Sequence, residues 1–331
     1  MHQGLPHDST IRTAIELACR APSLHNTQPW LLRIGHETVH LYADPGRRLP
    51  ATDPQGRDLL VSCGALLHHL RTAFAALGWA TTVHRLPNPE APDHLAALEL
   101  RPVETTASMV RGSGAIERRR TDRRRYASIP PSPELIAMLG RHAAAEGAQL
   151  RPLAARASRE RLIFACQEAT VVQATNVEYV AELRDWSGER IGARSGVPAA
   201  NVPRSLASQG EFPARPFWSG ELIQPHEANW RPDEEMLAIL GTVQDDRQSR
   251  LRAGEALSSV LLAATDAGLT SCPISHPMEV STTRAFIYEE LLGRALHPQV
   301  IVRIGWPPVG GAPVPRTPRR PIEEFVSYQE I

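Results

Sequence analysis

The chain contains no lysine; all 36 residues in its lysine-plus-arginine count are arginine. That absence excludes Schiff-base catalysis, pyridoxal-phosphate chemistry and the phosphate-binding P-loop, each of which needs a lysine amine. A genome-wide arginine bias explains most of it, and any anionic ligand must be held by guanidinium, a planar fork of permanent charge. Cysteine is scarce too. Cys19, Cys63, Cys166 and Cys272 are widely spaced without a C-x-x-C pair, so no disulfide framework and no metal site are expected. Each reads as a small core residue. No run of 18 apolar residues occurs and MHQGLPHDST lacks a signal-peptide core, so a cytoplasmic chain without membrane contact is expected. Net charge is also missing: 36 acidic residues balance the arginines, leaving no bulk field toward nucleic acid or membrane.

At 331 residues the chain is long enough for one large or two ordinary domains. Its densest feature is Ala21–Trp30 (APSLHNTQPW), a polar loop between an amphipathic helix and an apolar strand. Pro22 and Pro29 restrict the backbone and the residues before them. Between them Ser23, His25, Asn26, Thr27 and Gln28 offer hydrogen-bonding side chains that suit a flat polar ligand edge; a helix-capping turn is the plainer alternative.

Apolar periodicity predicts a helix through Ile11, Ala14, Ile15 and Ala18, and a hairpin of Leu31–Ile34 with Val39–Tyr42. A long apolar helix follows from about Arg57 to Leu77, stopped by Gly78. Strands are expected at Thr81–Arg85, Leu95–Leu100, Gln149–Leu153 and Met236–Val243, with Gln299–Ile304 the last. Helices are expected at Pro133–Glu146, Arg159–Leu183 and Asp246–Ala267. Cys63–Trp79 aligns without gaps on Ala253–Leu269, matching Gly64 to Gly254, Leu67 to Leu257, Ala73 to Ala263 and Gly78 to Gly268. A central helix ending in glycine twice points to an internal duplication: a single-chain pseudo-dimer with halves 1–105 and 106–331. Residues 185–232 interrupt the pattern with Gly188, Gly192, Gly196, Pro198, Pro203, Gly210, Pro213, Pro216, Gly220 and Pro225. Trp186, Phe212, Phe217, Trp218 and Trp230 among them favour a lid over a disordered linker.

Arg118–Arg125 holds six arginines in eight residues around Thr121, a strong anion-binding candidate weighed against a plain solvated charge run. Arg316-Thr317-Pro318-Arg319-Arg320-Pro321 adds more guanidinium on a stiff backbone. Nucleic-acid binding is the third reading, but interleaved aromatics and overall basic charge are both lacking.

These motifs carry a resemblance. Ala21–Trp30 is similar to the A-P-S-x-x-N-x-Q-P-W segment of the flavin-dependent nitroreductase family. Arg119–Arg123 resembles its R-R-S-x-R opening, with Thr121 for serine, and Gly268–Ser275 resembles its G-L-x-S-x-P-I segment. Ile301–Pro307 resembles the last core strand, and Arg319-Arg320-Pro321 the basic C-terminal motif. The order along the chain is most like the Acg-like, dormancy-associated members. The resemblance implies an α+β nitroreductase-like fold, each half a mixed or antiparallel sheet flanked by helices, with a lid insertion. Family members are usually homodimers with two FMN sites at the interface. Here the first half keeps the P-S-x-x-N loop alone and the second keeps the other parts, with Ala144–Leu153 where its own loop would stand. One FMN per chain is therefore expected, in a monomeric pseudo-dimer, with a homodimer as the alternative.

Residue by residue, the resemblance implies that Arg119 and Arg319 bind the FMN phosphate and that Arg120 and Thr121 contact the pyrimidine side and ribityl chain. Arg123, standing where the family has lysine, would lie near N1 and O2. Pro273, Ile274 and Ser275 would line the isoalloxazine, with His276 in place of a glycine. Pro22, Ser23, Asn26 and Gln28 would come from the opposite half. The flavin carries the chemistry, so no catalytic side chain is assigned; His25 and His276 are candidates only because imidazole titrates near neutrality. The expected activity is hydride transfer from NAD(P)H to nitroaromatic or quinone-like acceptors. The alternative is an FMN-binding or flavin-sequestering protein with little turnover.

Overall fold

Alternating burial along β1 (Trp30–Ile34) and β2 (Thr38–Ala43) puts Trp30, Leu32, Ile34, Val39 and Leu41 on one inward face of an antiparallel hairpin. The computed structural model describes residues 5–188, 193–204, 213, 215–217, 219–225, 231 and 234–329. Of the segment read as a lid, Gly192, Gly210, Phe212, Trp218, Trp230 and Pro232 lie outside the described residues. β3 (Trp79–Arg85) and β4 (His94–Pro102) extend the hairpin into a sheet of order β3-β4-β2-β1-β9. Its fifth strand, β9 (Val326–Tyr328), runs parallel to β1. Gln299–Ile304 is therefore not the last strand. Beyond it the tail returns to the first core, where Ile322 and Phe325 are buried and a free edge of β1 awaits a partner.

The second sheet is antiparallel throughout, in the order β5 (Gln149–Pro152), β6 (Met236–Thr242), β8 (His297–Gly305), β7 (Thr270–Ile274). Helices α1 (Asp8–Ala18), α3 (Ala107–Arg118), α4 (Pro133–Ala145), α5 (Arg156–Ala174) and α6 (Val177–Asp185) flank the two sheets. The short α8 (His276–Glu279) and α9 (Ser281–Phe286) follow β7. The single helix expected over Arg159–Leu183 is two. The Asn176 side chain accepts from the amides of Glu178 and Tyr179, and so starts α6 afresh. Helix α3 had no sequence-based expectation, because Gly112 and Gly114 dilute its helical signal.

Between the sheets lie α2 (Arg57–Ala76) and α7 (Arg247–Asp266), most of whose residues are buried. They cross in backbone contact. A Cβ on Gly64 would stand 2.0 Å from the Leu251 carbonyl oxygen, and one on Gly254 would stand 2.0 Å from that of Val61. Both pairs of counterparts, Gly64 with Gly254 and Val61 with Leu251, are 190 residues apart, as are Gly78 (φ +84°) and Gly268 (φ +81°) after the two helices. The crossing is thus self-complementary, as across a two-fold axis. Beside it, the fully buried Glu255 takes Arg71 at 2.9 Å and both arms of Arg85 at 2.7 and 2.8 Å, while Arg71 also reaches Glu146 at 2.6 Å.

Candidate functional site

The loop after α1 is wound tightly. His25 (φ 47°), Asn26 (φ 54°) and Gln28 (φ 52°) are all left-handed, a conformation that costs roughly 1–2 kcal/mol for each non-glycine residue. Side chains hold it. Ser23 Oγ accepts from the Gln28 amide at 2.9 Å, Ser62 Oγ from the Leu24 amide at 3.1 Å, and the Thr27 hydroxyl donates to Leu24 O at 2.8 Å. Asn26 Nδ2 donates to the carbonyls of Gly196 (3.1 Å) and Pro318 (3.2 Å), tying the loop to residues of the 185–232 segment and to the C-terminal tail.

This loop forms one wall of a cavity. Pro22, Ser23, His25 and Asn26 line it together with Asp58, Val61 and Ser62 of α2. The opposite wall carries Arg119, Arg120, Thr121 and Arg123, then Pro273, Ile274, Ser275 and His276 where β7 runs into α8. A bridge between Thr121 and Ser271, with the Asp122 amide donating to Ser271 O at 3.0 Å, fixes the arginine motif beside β7. Arg319 and Arg316 of the tail close one end, and Arg215 and Phe217 face in from the 185–232 segment.

Gln28 is the exception among the residues expected to bind. It is wholly buried outside the cavity, donating to Arg194 O (2.8 Å) and Asn26 O (3.2 Å) and accepting from the Arg320 amide (2.9 Å). Its part is to brace the loop against the tail. Ser23 bonds within the loop and Asn26 ties it to Gly196 and Pro318, while both line the cavity.

One end of the cavity is densely cationic. Arg119 follows α3, is 6% exposed, and donates from Nη2 to Arg20 O at 3.3 Å; its Nε and Nη1 have no partner. Arg319 donates to the carbonyls of Cys19 (2.9 Å) and Arg20 (3.0 Å) at the end of α1, where the helix dipole favours cations. Burial, then Arg319 and Arg120, push the Arg119 guanidinium down to about 9. Burial, with Arg20 and Arg120 adding to it, takes Arg319 to about 10. A buried cation beside a second one, with no counter-charge, calls for an anion.

The other end is tuned differently. Arg123 is half-buried, donates to Asn201 O at 3.1 Å, and lies 5.0 Å above the Phe217 ring. Arg215 pairs with Glu279 and the Tyr179 hydroxyl, and reaches Ser275 Oγ at 3.3 Å. Ser275 donates to Glu279 at 2.8 Å. Burial, reinforced by Arg215 and Arg123, keeps the His25 imidazole neutral, and both its nitrogens lack partners. His276, lowered to about 3 chiefly by burial, bonds to the Cys166 backbone and leaves Nε2 unpartnered. Burial raises the Asp58 carboxyl to about 7, although Arg57 bonds it at 2.6 Å. Asp58 and Ser62 escaped the sequence reading; two polar residues four apart in the mostly apolar first half of α2 were the available signal.

A curated relative from Mycobacterium tuberculosis named "Putative NAD(P)H nitroreductase Rv3131" is 42% identical over 330 residues, covering 100% of this chain and 94% of its own length. The chain belongs to the nitroreductase family. A second relative in the family, "Putative NAD(P)H nitroreductase acg" of the same organism, is 38% identical over 322 residues, covering 95% of this chain and 94% of itself. Among solved structures, the FMN-dependent nitroreductase NfnB from Mycobacterium smegmatis in complex with NADPH is 15% identical with a TM-score of 0.41, covering 66% of this chain and 99% of that one. No family model matches the chain.

Proposed function

We propose that the chain binds one FMN and acts as an oxidoreductase that takes hydride from NAD(P)H and passes it to nitroaromatic or quinone-like acceptors. The observation that carries the reading is Arg119: a buried guanidinium whose residue lines the cavity beside Arg319 and whose Nε and Nη1 have no partner. That donor set fits a phosphate monoester, whose oxygens match two guanidinium forks. Bound FMN supplies hydride transfer at N5, and the protein supplies orientation and charge. Arg119 and Arg319 hold the phosphate. Arg120 and Thr121 contact the pyrimidine side and ribityl chain, and Pro273, Ile274 and Ser275 flank the ring. Arg123 keeps positive charge at the cavity wall, where it counters charge gained on reduction. Pro22, Ser23 and Asn26 complete the site from the other half of the polypeptide.

A single site follows from the halves 1–105 and 106–331 having become unlike. At the two-fold-related position, Arg252 replaces the counterpart of Ser62 and packs 3.3 Å from where a Gly147 Cβ would stand. Glu146 is engaged there by Arg71. The second reading, flavin sequestration with little turnover, draws support from Arg215 and Phe217, which line the cavity and limit entry. Adding NADPH to the FMN-loaded protein without oxygen decides between them. Loss of the flavin absorbance supports the oxidoreductase; a spectrum unchanged over an hour supports sequestration. A protein that takes up no FMN overturns both.

A further inference from the structure

We propose that the arginine-rich end of the cavity holds a second phosphate group, outside the one assigned to Arg119 and Arg319, in a subsite made by Arg20 and Arg316 beside Arg120. The inference rests on the FMN reading, because it counts the cations that reading leaves over.

Five arginines line the cavity here: Arg20, Arg119, Arg120, Arg316 and Arg319. They form two tiers. The inner pair is fixed by the carbonyls at the end of α1 and, for Arg319 Nη1, by Thr317 Oγ1 at 2.6 Å. Of the outer three, Arg120 is half-buried and donates only to the carbonyls of Glu117 (2.8 Å) and Arg119 (2.7 Å). Arg20 is half-buried and Arg316 exposed; among the described residues neither guanidinium has a hydrogen bond or an ion pair. Among the same residues no carboxylate lies within ion-pair distance of any of the five. After burial, the influences lowering the Arg120 pKa are the charges of Arg316 and Arg20.

Charge counting gives the ligand. A phosphate monoester carries about −1.5 to −2 near neutrality, so it neutralises two of the five cations and leaves about three. Its three terminal oxygens are filled by two bidentate forks. Like charges gathered at a cavity mouth without a carboxylate repel one another unless a second anion joins them. The partner is an organic phosphate positioned beside the first. Two sources supply that chemistry: the second phosphate of a flavin dinucleotide in the place of FMN, or a phosphate of the pyridine nucleotide bound beside FMN.

The test compares the wild type with the Arg20→Ser/Arg316→Ser double variant at fixed ionic strength. Apoprotein is titrated with FMN and with FAD by flavin fluorescence, and FMN-loaded protein with NADPH and NADH by calorimetry. The expected result is an affinity loss of about tenfold or more for FAD or for NADPH, with FMN affinity changed less than about threefold. A loss confined to FAD identifies the dinucleotide flavin; a loss confined to NADPH, with NADH unaffected, identifies the phosphate peculiar to NADPH. Equal losses for NADPH and NADH identify their shared pyrophosphate. If every affinity stays within threefold, or FMN weakens as much as the others, the second subsite does not exist and all five arginines serve one phosphate. Failure of the wild type to bind FMN is a separate result, which removes the functional reading and this inference with it.

Discussion

Replacing Gly64 with alanine tests the helix crossing on which the site is built. The new Cβ would lie 2.0 Å from Leu251 O and 2.9 Å from the Gly254 Cα. Ordinary contact begins near 3.4 Å, so α2 and α7 must part by about 1.4 Å at that point. Both obstacles are backbone, and neither can rotate away. A gap of 0.5–1 Å already forfeits roughly a quarter to a half of a contact's dispersion energy, and overpacked cores lose about 1–3 kcal/mol. Alanine returns up to about 1 kcal/mol of helix propensity. The expected net loss is on the order of 2 kcal/mol, read as a lower urea midpoint with an unchanged slope. Gly140, in α4, has nothing within 4 Å of its Cβ position, so Gly140→Ala should stabilise by about 0.5–1 kcal/mol. Gly254→Ala should cost as much as Gly64→Ala, and the double variant less than the sum, because the second methyl enters space opened by the first. A Gly64→Ala protein as stable as the wild type would refute the crossing.

Glu255→Gln leaves Arg71 and Arg85 without their buried carboxylate and should cost about 3–5 kcal/mol in the same unfolding assay. Arg119→Gln should weaken FMN binding by at least about tenfold while leaving riboflavin, which lacks the phosphate, unaffected in fluorescence titration. Acid should destabilise the fold. His25, His69, His68 (about 4) and His276 (about 3) all have pKa values lowered by burial, so the unfolded chain binds protons first as pH falls below 6.5. Asp58, raised to about 7, and Asp53, also raised, act in the opposite sense, but four imidazoles outnumber two carboxyls. Stability should therefore decline by at least about 1.4 kcal/mol per pH unit between pH 6.5 and about 4; a flat or rising profile would contradict the burial of these rings.

Local pattern made much of the architecture readable. The hairpin, the long helix from Arg57 and the glycine that ends it depend on alternation, helical spacing and a left-handed φ at Gly78, all of which are written in neighbouring residues. The return of β9 to β1 is not local: it depends on an edge left open almost 300 residues earlier in the chain. Helix α3 was hidden by Gly112, whose missing side chain lets the helix pack on Thr72, 3.2 Å from where a Cβ would stand. At the site, the arginine motif and Ala21–Trp30 stood out by density. Gln28 shared that density but turned inward, because the left-handed backbone at its own position aims the amide at Arg194 and the tail. Asp58, Ser62, Arg20 and Arg215 are single polar residues in unremarkable surroundings, and only the meeting of distant segments gives them a place in the cavity.

The central claim is one flavin site, shared by the two halves of a single chain. Flavin released from FMN-saturated, desalted protein and counted against polypeptide tests it most directly. The account predicts one FMN per chain, with Arg119→Gln bringing the count toward zero; two FMN per chain, or none in the wild type, would contradict it.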